Sequence, residues 1–335
     1  LTYKDAVLQS YTDVSASAEA KIKTMLKNYV EAHREIKAEL DSLYASFAGL
    51  DKADWYNAAI KADRLQALLR SIDANISKYA ELANTQTETL ITDSMKDMYY
   101  RTQYIHAAFI PQAISLTTIP PMLVKAAVTG QAEAVRAITD NIIKKYGSLT
   151  NYVPKYGTLS KLLAERKSEA VASIEKAVTQ SIIKGDGIRD LASNISGIFE
   201  TVGWKAARIA SAESMRVASA GQWAHTQDLI SDGIEPEKMW MHVANVSKFS
   251  RPEHEHLDGK RIGVDDEFES NGFSALYPRA FGEPSEDIGC KCTYLNIVNG
   301  VTPATRTATN PVTGEKEVFS FKSYDEWRAQ FNDAA

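Results

Sequence analysis

Two short stretches carry residue types that do chemistry. RPEHEHLDG at 251–259 holds His254 and His256 at spacing i, i+2, and GCKC at 289–292 holds Cys290 and Cys292, the two cysteines of the chain. Two imidazoles and two thiols are a donor set that zinc accepts in a closed tetrahedral site. The tight spacing is not that of a standard finger. A catalytic zinc would keep one position open beside a carboxylate base. Glu253, Glu255 and Asp258 supply carboxylates, but the HExxH pattern, with its histidines at i, i+4 on one helix face, is absent. No cysteine-protease signature surrounds either thiol. Three readings stay open: a structural zinc held by His254, Cys290, Cys292 and His256, a catalytic metal, or buried thiols beside a hydrogen-bonded histidine. LDG at 257–259 also reads as a turn, in which Asp258 accepts from backbone amides and Gly259 takes positive φ.

The elements that must position these residues are set by hydrophobic spacing. Ile22, Met25, Tyr29, Ala32, Ile36, Leu40, Leu43 and Phe47 recur at steps of three and four, which predicts a helix of about eight turns. Gly49 is its expected C-cap and Asp51 the N-cap of the next segment. Leu65, Leu68, Ile72, Ile76 and Tyr79 mark a second apolar stripe, and Leu90, Met95, Met98, Tyr99 and Tyr104 a third. Pro111, Pro120 and Pro121 interrupt the helical run. From 129 to 230 the pattern is helical again, with KGDG at 184–187 as a stop. Beyond Gly233, EKMWMHVANV, RIGVDDEF and CKCTYLNIV predict three short strands, and the last stretch a polar loop, an NPVTG turn, a short strand and a short helix.

The expected fold is mainly α with a small C-terminal α+β domain. It divides along the chain into a long-helix hairpin or bundle at 1–110, a helical connector at 111–180, a compact domain at 181–300 and a tail at 301–335. With 335 residues the chain has room for two domains. A net charge of −5, from 38 basic and 43 acidic side chains, gives the whole molecule no field that draws it to nucleic acid. No apolar run reaches the length of a membrane span. The opening LTYKDAVLQSYTDV lacks the layout of a secretory signal and does not begin with Met, so the numbering is expected to start inside a longer chain. A disulfide at i, i+2 would be strained, so reduced thiols and assembly in a cytosol are expected.

Taken together, KAARIASAESMRVASAG at 205–221, Trp240, RPEHEHLDG, Pro278, Pro284 and CKC at 290–292 resemble the head-morphogenesis domain of the phage Mu-type minor head proteins of tailed bacteriophages. The matching positions are Arg208, Glu213, Arg216, Arg251, His254, Leu257, Asp258, Gly259, Cys290 and Cys292. The chain departs from that pattern at Lys248 and Gly289, and His256 lies outside it. The resemblance implies a low-copy, non-enzymatic minor capsid protein of the virion. It implies a place in the phage head near the portal vertex, assembled in the host cytoplasm. Portal protein, major capsid or scaffolding protein and packaged DNA are the implied partners, with no membrane. The alternative is a metal-dependent nuclease or toxin-like effector carried in the virion. An apolar stripe on the long helices is expected to serve as a helix-in-groove contact.

Overall fold

The computed structural model describes residues 3–61, 63–243, 251–298, 306–309 and 316–319. The element order is α1 Tyr3–Ala45, α2 Trp55–Lys61, α3 Arg64–Phe109, α4 Pro121–Thr129, α5 Ala132–Arg136, α6 Asp140–Tyr146, α7 Leu159–Lys184 and α8 Ile188–Ser231. Then come β1 Glu237–Met241, α9 Pro252–Glu255, β2 Arg261–Ile262, β3 Phe268–Ser270, β4 Phe273–Ala275, α10 Pro284–Asp287, β5 Thr293–Ile297, β6 Arg306–Thr309 and β7 Lys316–Phe319. The protein is thus mainly α with a small α+β region toward its C-terminus. No helix among the described residues is long and apolar enough to cross a membrane.

The helices run longer than the stripes predict. α1 has 43 residues and already begins at Tyr3, because no Gly or Pro interrupts it and its apolar spacing continues back through Val14, Tyr11 and Val7. The second and third stripes are one 46-residue helix, α3, for the same reason. α3 ends just before Pro111, and Pro121 occupies the first turn of α4, where a missing N–H costs nothing. α7 stops at Gly185, whose φ of 70° is one that L side chains rarely adopt. α8 runs unbroken through Gly203 and Gly221. At Gly221 an added Cβ would lie 2.3 Å from the carbonyl oxygen of Met95, so the absent side chain lets α8 approach α3.

Two compact units result, and both cut across the successive blocks expected from the sequence. One, the helical unit, is Glu19–Thr89 with Leu159–Ser211; the other, the mixed unit, is Leu1–Ala18, Leu90–Thr158 and Ala212–Ala335. The reason is that α1, α3 and α8 each contribute residues to both.

In the helical unit, an apolar core fully encloses Ile36, Leu40, Ile72, Ile174, Val178, Ile182 and Leu191. Each such side chain contributes about 1.5–3 kcal/mol by leaving water. This corrects one expectation: the Ile36 to Phe47 part of the α1 stripe is spent on the unit's own core, so it offers no free groove-binding face.

In the mixed unit, β2, β1 and β5 form an antiparallel sheet in that order. The stretch expected as a single strand, RIGVDDEF, is divided between β2 and β3, and β3 pairs with β4 through a hairpin whose tip is Asn271-Gly272. β6 and β7 form a further antiparallel two-stranded sheet. The NPVTG turn, the C-terminal helix, Lys248 and the end of the first expected strand lie outside the described residues.

Candidate functional site

RPEHEHLDG folds as one helical turn and a tight return. Pro252 starts α9, and Arg251 before it reaches across to donate from Nη1 to the Glu286 carbonyl at 2.6 Å and from Nη2 to the Ile288 carbonyl at 2.5 Å. Leu257 enters a small core with Trp240, Phe268, Phe281, Cys290 and Cys292. Asp258 Oδ1 accepts from the His242 backbone N–H at 2.7 Å, and Gly259 has φ 77°. The Gly259 N–H donates to the Trp240 carbonyl, so the loop is tied to the middle of β1.

His254 is the buried member of the motif, 1% exposed, with its ring edge-on to Trp240 and stacked on Phe281. Its Nε2 lies 2.9 Å from Glu286 Oε2. The Glu286 carboxylate also accepts from Ser270 Oγ at 2.7 Å and Asn271 Nδ2 at 2.8 Å. Burial acts to raise the Glu286 pKa, but the hydrogen bonds from Asn271, Ser270 and His254 outweigh it and lower the value. An ionised carboxylate only accepts, so the imidazole proton belongs on Nε2 and the Nδ1 lone pair is turned the other way.

Nδ1 faces sulfur. Cys290 Sγ is 3.5 Å from it and Cys292 Sγ 3.7 Å, and the three atoms all lie within 4.8 Å of one another. Both cysteines are free thiols on the bend that leads into β5. Gly289 at φ 78° starts that bend, and Arg279 Nε donates to the Cys290 carbonyl at 2.9 Å. The Cys290 thiol is pushed well below its ordinary pKa, first by a hydrogen bond from Cys292 and then, against its burial, by His254 and Arg279. Cys292, the donor in that pair, is pushed up. Burial opposes protonation of His254, but Cys290 and Glu286 beside it prevail and raise its pKa.

His256 is exposed and outside this group. His256 follows α9 with helical φ −66° and ψ −20°, and each residue of a helical turn rotates by about 100°, so His254 and His256 cannot face one point. The expected four-residue set is therefore corrected to three. A second imidazole, that of His242, meets one of the two sulfurs, with Nδ1 3.5 Å from Cys292 Sγ, and lies outside the three-residue group. The register accounts for it: Met241 pairs with Thr293 at the end of the ladder, and one step further on each strand stand His242 and Cys292.

The remaining motif residues do other work. Glu213 and Arg216 form a buried ion pair at 2.9 Å on α8. Arg216 also donates to the carbonyls of Tyr152 at 2.7 Å and Ala127 at 2.6 Å, which fastens the segment between α4 and α7. Arg208 is exposed, lying over the Trp204 ring. Sequence reasoning missed Arg279, whose guanidinium is 2% exposed and also donates to Ser219 Oγ and the Tyr11 hydroxyl. It also missed Glu286. For the β3–β4 hairpin that brings Ser270 and Asn271 to Glu286, the Asn-Gly dipeptide was an available signal.

Residues 172–295, which contain all these motif positions, match the family described as Phage Mu protein F like protein. The minor head protein GP7 of Bacillus phage SPP1 is 24% identical over 309 residues, covering 92% of this chain and 92% of that protein. An NAD(+)–arginine ADP-ribosyltransferase, EFV, of Enterococcus faecalis is 34% identical over 171 residues, 51% of this chain; the chain spans only 34% of that relative's length. The uncharacterized protein YqbB of Bacillus subtilis is 29% identical over 147 residues, 42% of this chain and 46% of that protein. No solved structure matches the chain.

Proposed function

We propose, from the premise that the chain belongs to the phage minor head protein family, that it is a low-copy structural component of the head that docks at the portal vertex. There it assists head assembly and the packaging or delivery of DNA. The observation that carries this reading is colinear similarity to a minor head protein along 92% of both chains. That alignment extends well beyond the matched domain and takes in the sequence of the long helices as well as that of the mixed unit. A buried core in the helical unit and a polar-stapled mixed unit suit a building block that must hold its shape while other head proteins assemble on it. The net charge of −5 argues against coating DNA, though a few Lys or Arg suffice for local contact.

The ADP-ribosyltransferase relative keeps an enzymatic reading on the table, and one experiment addresses both. The chain is co-expressed with portal, scaffolding and major capsid proteins, and particles are purified on a gradient. Retention in particles at a few copies each, and binding to isolated portal, are the expected results. Absence from particles together with no portal binding would sink the proposal. Transfer of label from NAD to arginine by the purified chain, or metal-dependent cleavage of nucleic acid, would replace it with the effector reading.

A further inference from the structure

We propose that Cys290, Cys292, His254 and His242 form a structural zinc site in which His242 supplies the fourth ligand and Glu286 orients His254. The proposal does not depend on the head-protein reading. It rests first on distances. Zinc bonds of about 2.3 Å to sulfur and about 2.0–2.1 Å to nitrogen, set at the tetrahedral angle, place neighbouring S and N ligands about 3.6 Å apart. The observed separations are 3.5 Å for His254 to Cys290, 3.7 Å for His254 to Cys292 and 3.5 Å for His242 to Cys292.

Valence is the second argument. Nδ1 of His254 has one lone pair, yet two sulfurs converge on it. One S–H can donate there; a cation at the centre satisfies both sulfurs and both imidazoles together. Soft thiolates with imidazole select zinc over the oxygen-seeking divalent ions. Binding displaces the thiol protons to solvent, and the resulting Zn²⁺ with two thiolates is neutral, which a buried site tolerates.

The surroundings already have the form of a metal site. Glu286 holds the outward nitrogen of His254, as a carboxylate commonly does behind a zinc-bound histidine. Its own oxygens are fixed by Ser270 and Asn271, so the ring is not free to turn. Arg251 fastens α9 to the backbone at Glu286 and Ile288, and Arg279 fastens the Cys290 carbonyl. Strand β2 has two residues, and β3 and β4 three each, so regular hydrogen bonding supplies little stability here and a metal staple would supply much. His242 is half-buried at the rim, in contact with Cys292 but outside the group of donors that lie within 4.8 Å of one another, and movement of its imidazole toward His254 and Cys290 is what binding asks of it.

The test uses the full chain purified under reducing conditions, with zinc quantified per chain and affinity read by competition with a chelator. One zinc per chain is expected, and cobalt substitution should give the spectrum of a tetrahedral thiolate site. Cys290→Ser risks unfolding the mixed unit, so the decisive variants are His242→Ala, Glu286→Gln and His256→Ala, each checked for unchanged circular dichroism. Glu286→Gln should weaken zinc by about 10–100-fold. His242→Ala should weaken it at least as much and change the cobalt spectrum, and His256→Ala should do neither. A reduced chain that takes up no zinc overturns the site. Unchanged affinity in His242→Ala, or a loss in His256→Ala equal to that in His242→Ala, overturns the ligand assignment.

Discussion

The helical unit and the mixed unit are held together by different physics. In the helical unit the core centres on aliphatic side chains, with Ile36, Leu40, Ile72, Ile174 and Val178 packed from long helices. In the mixed unit the centre is crowded with paired polar groups: Glu213 with Arg216, His254 with Glu286, Arg279 with carbonyl and hydroxyl oxygens, and His106 with His225. Apolar packing is non-directional and tolerates exchange at constant volume, whereas a buried polar network demands each partner. The motif positions fall mostly in the mixed unit. Among them, Arg216, Arg251 and Asp258 hydrogen-bond backbone groups.

Four experiments break or sharpen this contrast. Removing a network member should cost most. Arg216→Ala leaves the Glu213 carboxylate buried without its partner and strands two carbonyls, a loss of about 3–5 kcal/mol in urea unfolding. A loss under about 1 kcal/mol would remove the distinction between the units. In the helical unit, Leu40→Ala should cost about 2–5 kcal/mol through its cavity, but Leu40→Met under about 1.5. Arg216→Lys, equally conservative on paper, should be far more damaging because the ammonium cannot reproduce the guanidinium fork.

Acid sensitivity should come from the mixed unit. Burial holds His106 well below the ordinary imidazole value, and burial with nearby Lys145 lowers His225 to about 3. Both are therefore neutral when folded, while the unfolded chain takes up protons below about 6.5. Stability is complete above that value and falls as pH drops below it, for His225 down to about 3, by up to about 1.4 kcal/mol per pH unit for each ring. A flat dependence of unfolding free energy on pH between about 6.5 and about 5, or an undiminished slope in His225→Phe, would count against this. The smallest effect is expected at Arg208, an exposed motif residue of the helical unit: Arg208→Ala should change stability by less than about 0.5 kcal/mol. If the same variant loses particle incorporation, Arg208 belongs to a docking surface; if it keeps it, the docking surface lies elsewhere.

Legibility tracked the range of each signal. The buried stripe of α1 and the stops at Pro111 and Gly185 were readable, because helix periodicity and helix breaking are set within a few residues. That α3 is one helix was also written in its lack of Gly and Pro, but the two separate apolar stripes suggested two helices. Of the site, His254, Cys290 and Cys292 stood out by type. His242 and Glu286 did not: one precedes α9 and the other lies in α10, and no spacing rule connects them.

By itself, the sequence determined the helical class, the short strands after Gly233 and the presence of two thiols and two motif histidines. Those are properties of composition and local period, which the chain carries in any conformation. Only the tertiary structure decided which imidazole meets sulfur. His256 is two residues from His254 yet turned away by the helical rotation, while His242 is brought to Cys292 by the register of β1 against β5, 50 residues apart in the chain. Proximity in sequence and proximity in space part company at this point, because a single turn of helix rotates neighbouring side chains apart while strand pairing holds distant ones side by side.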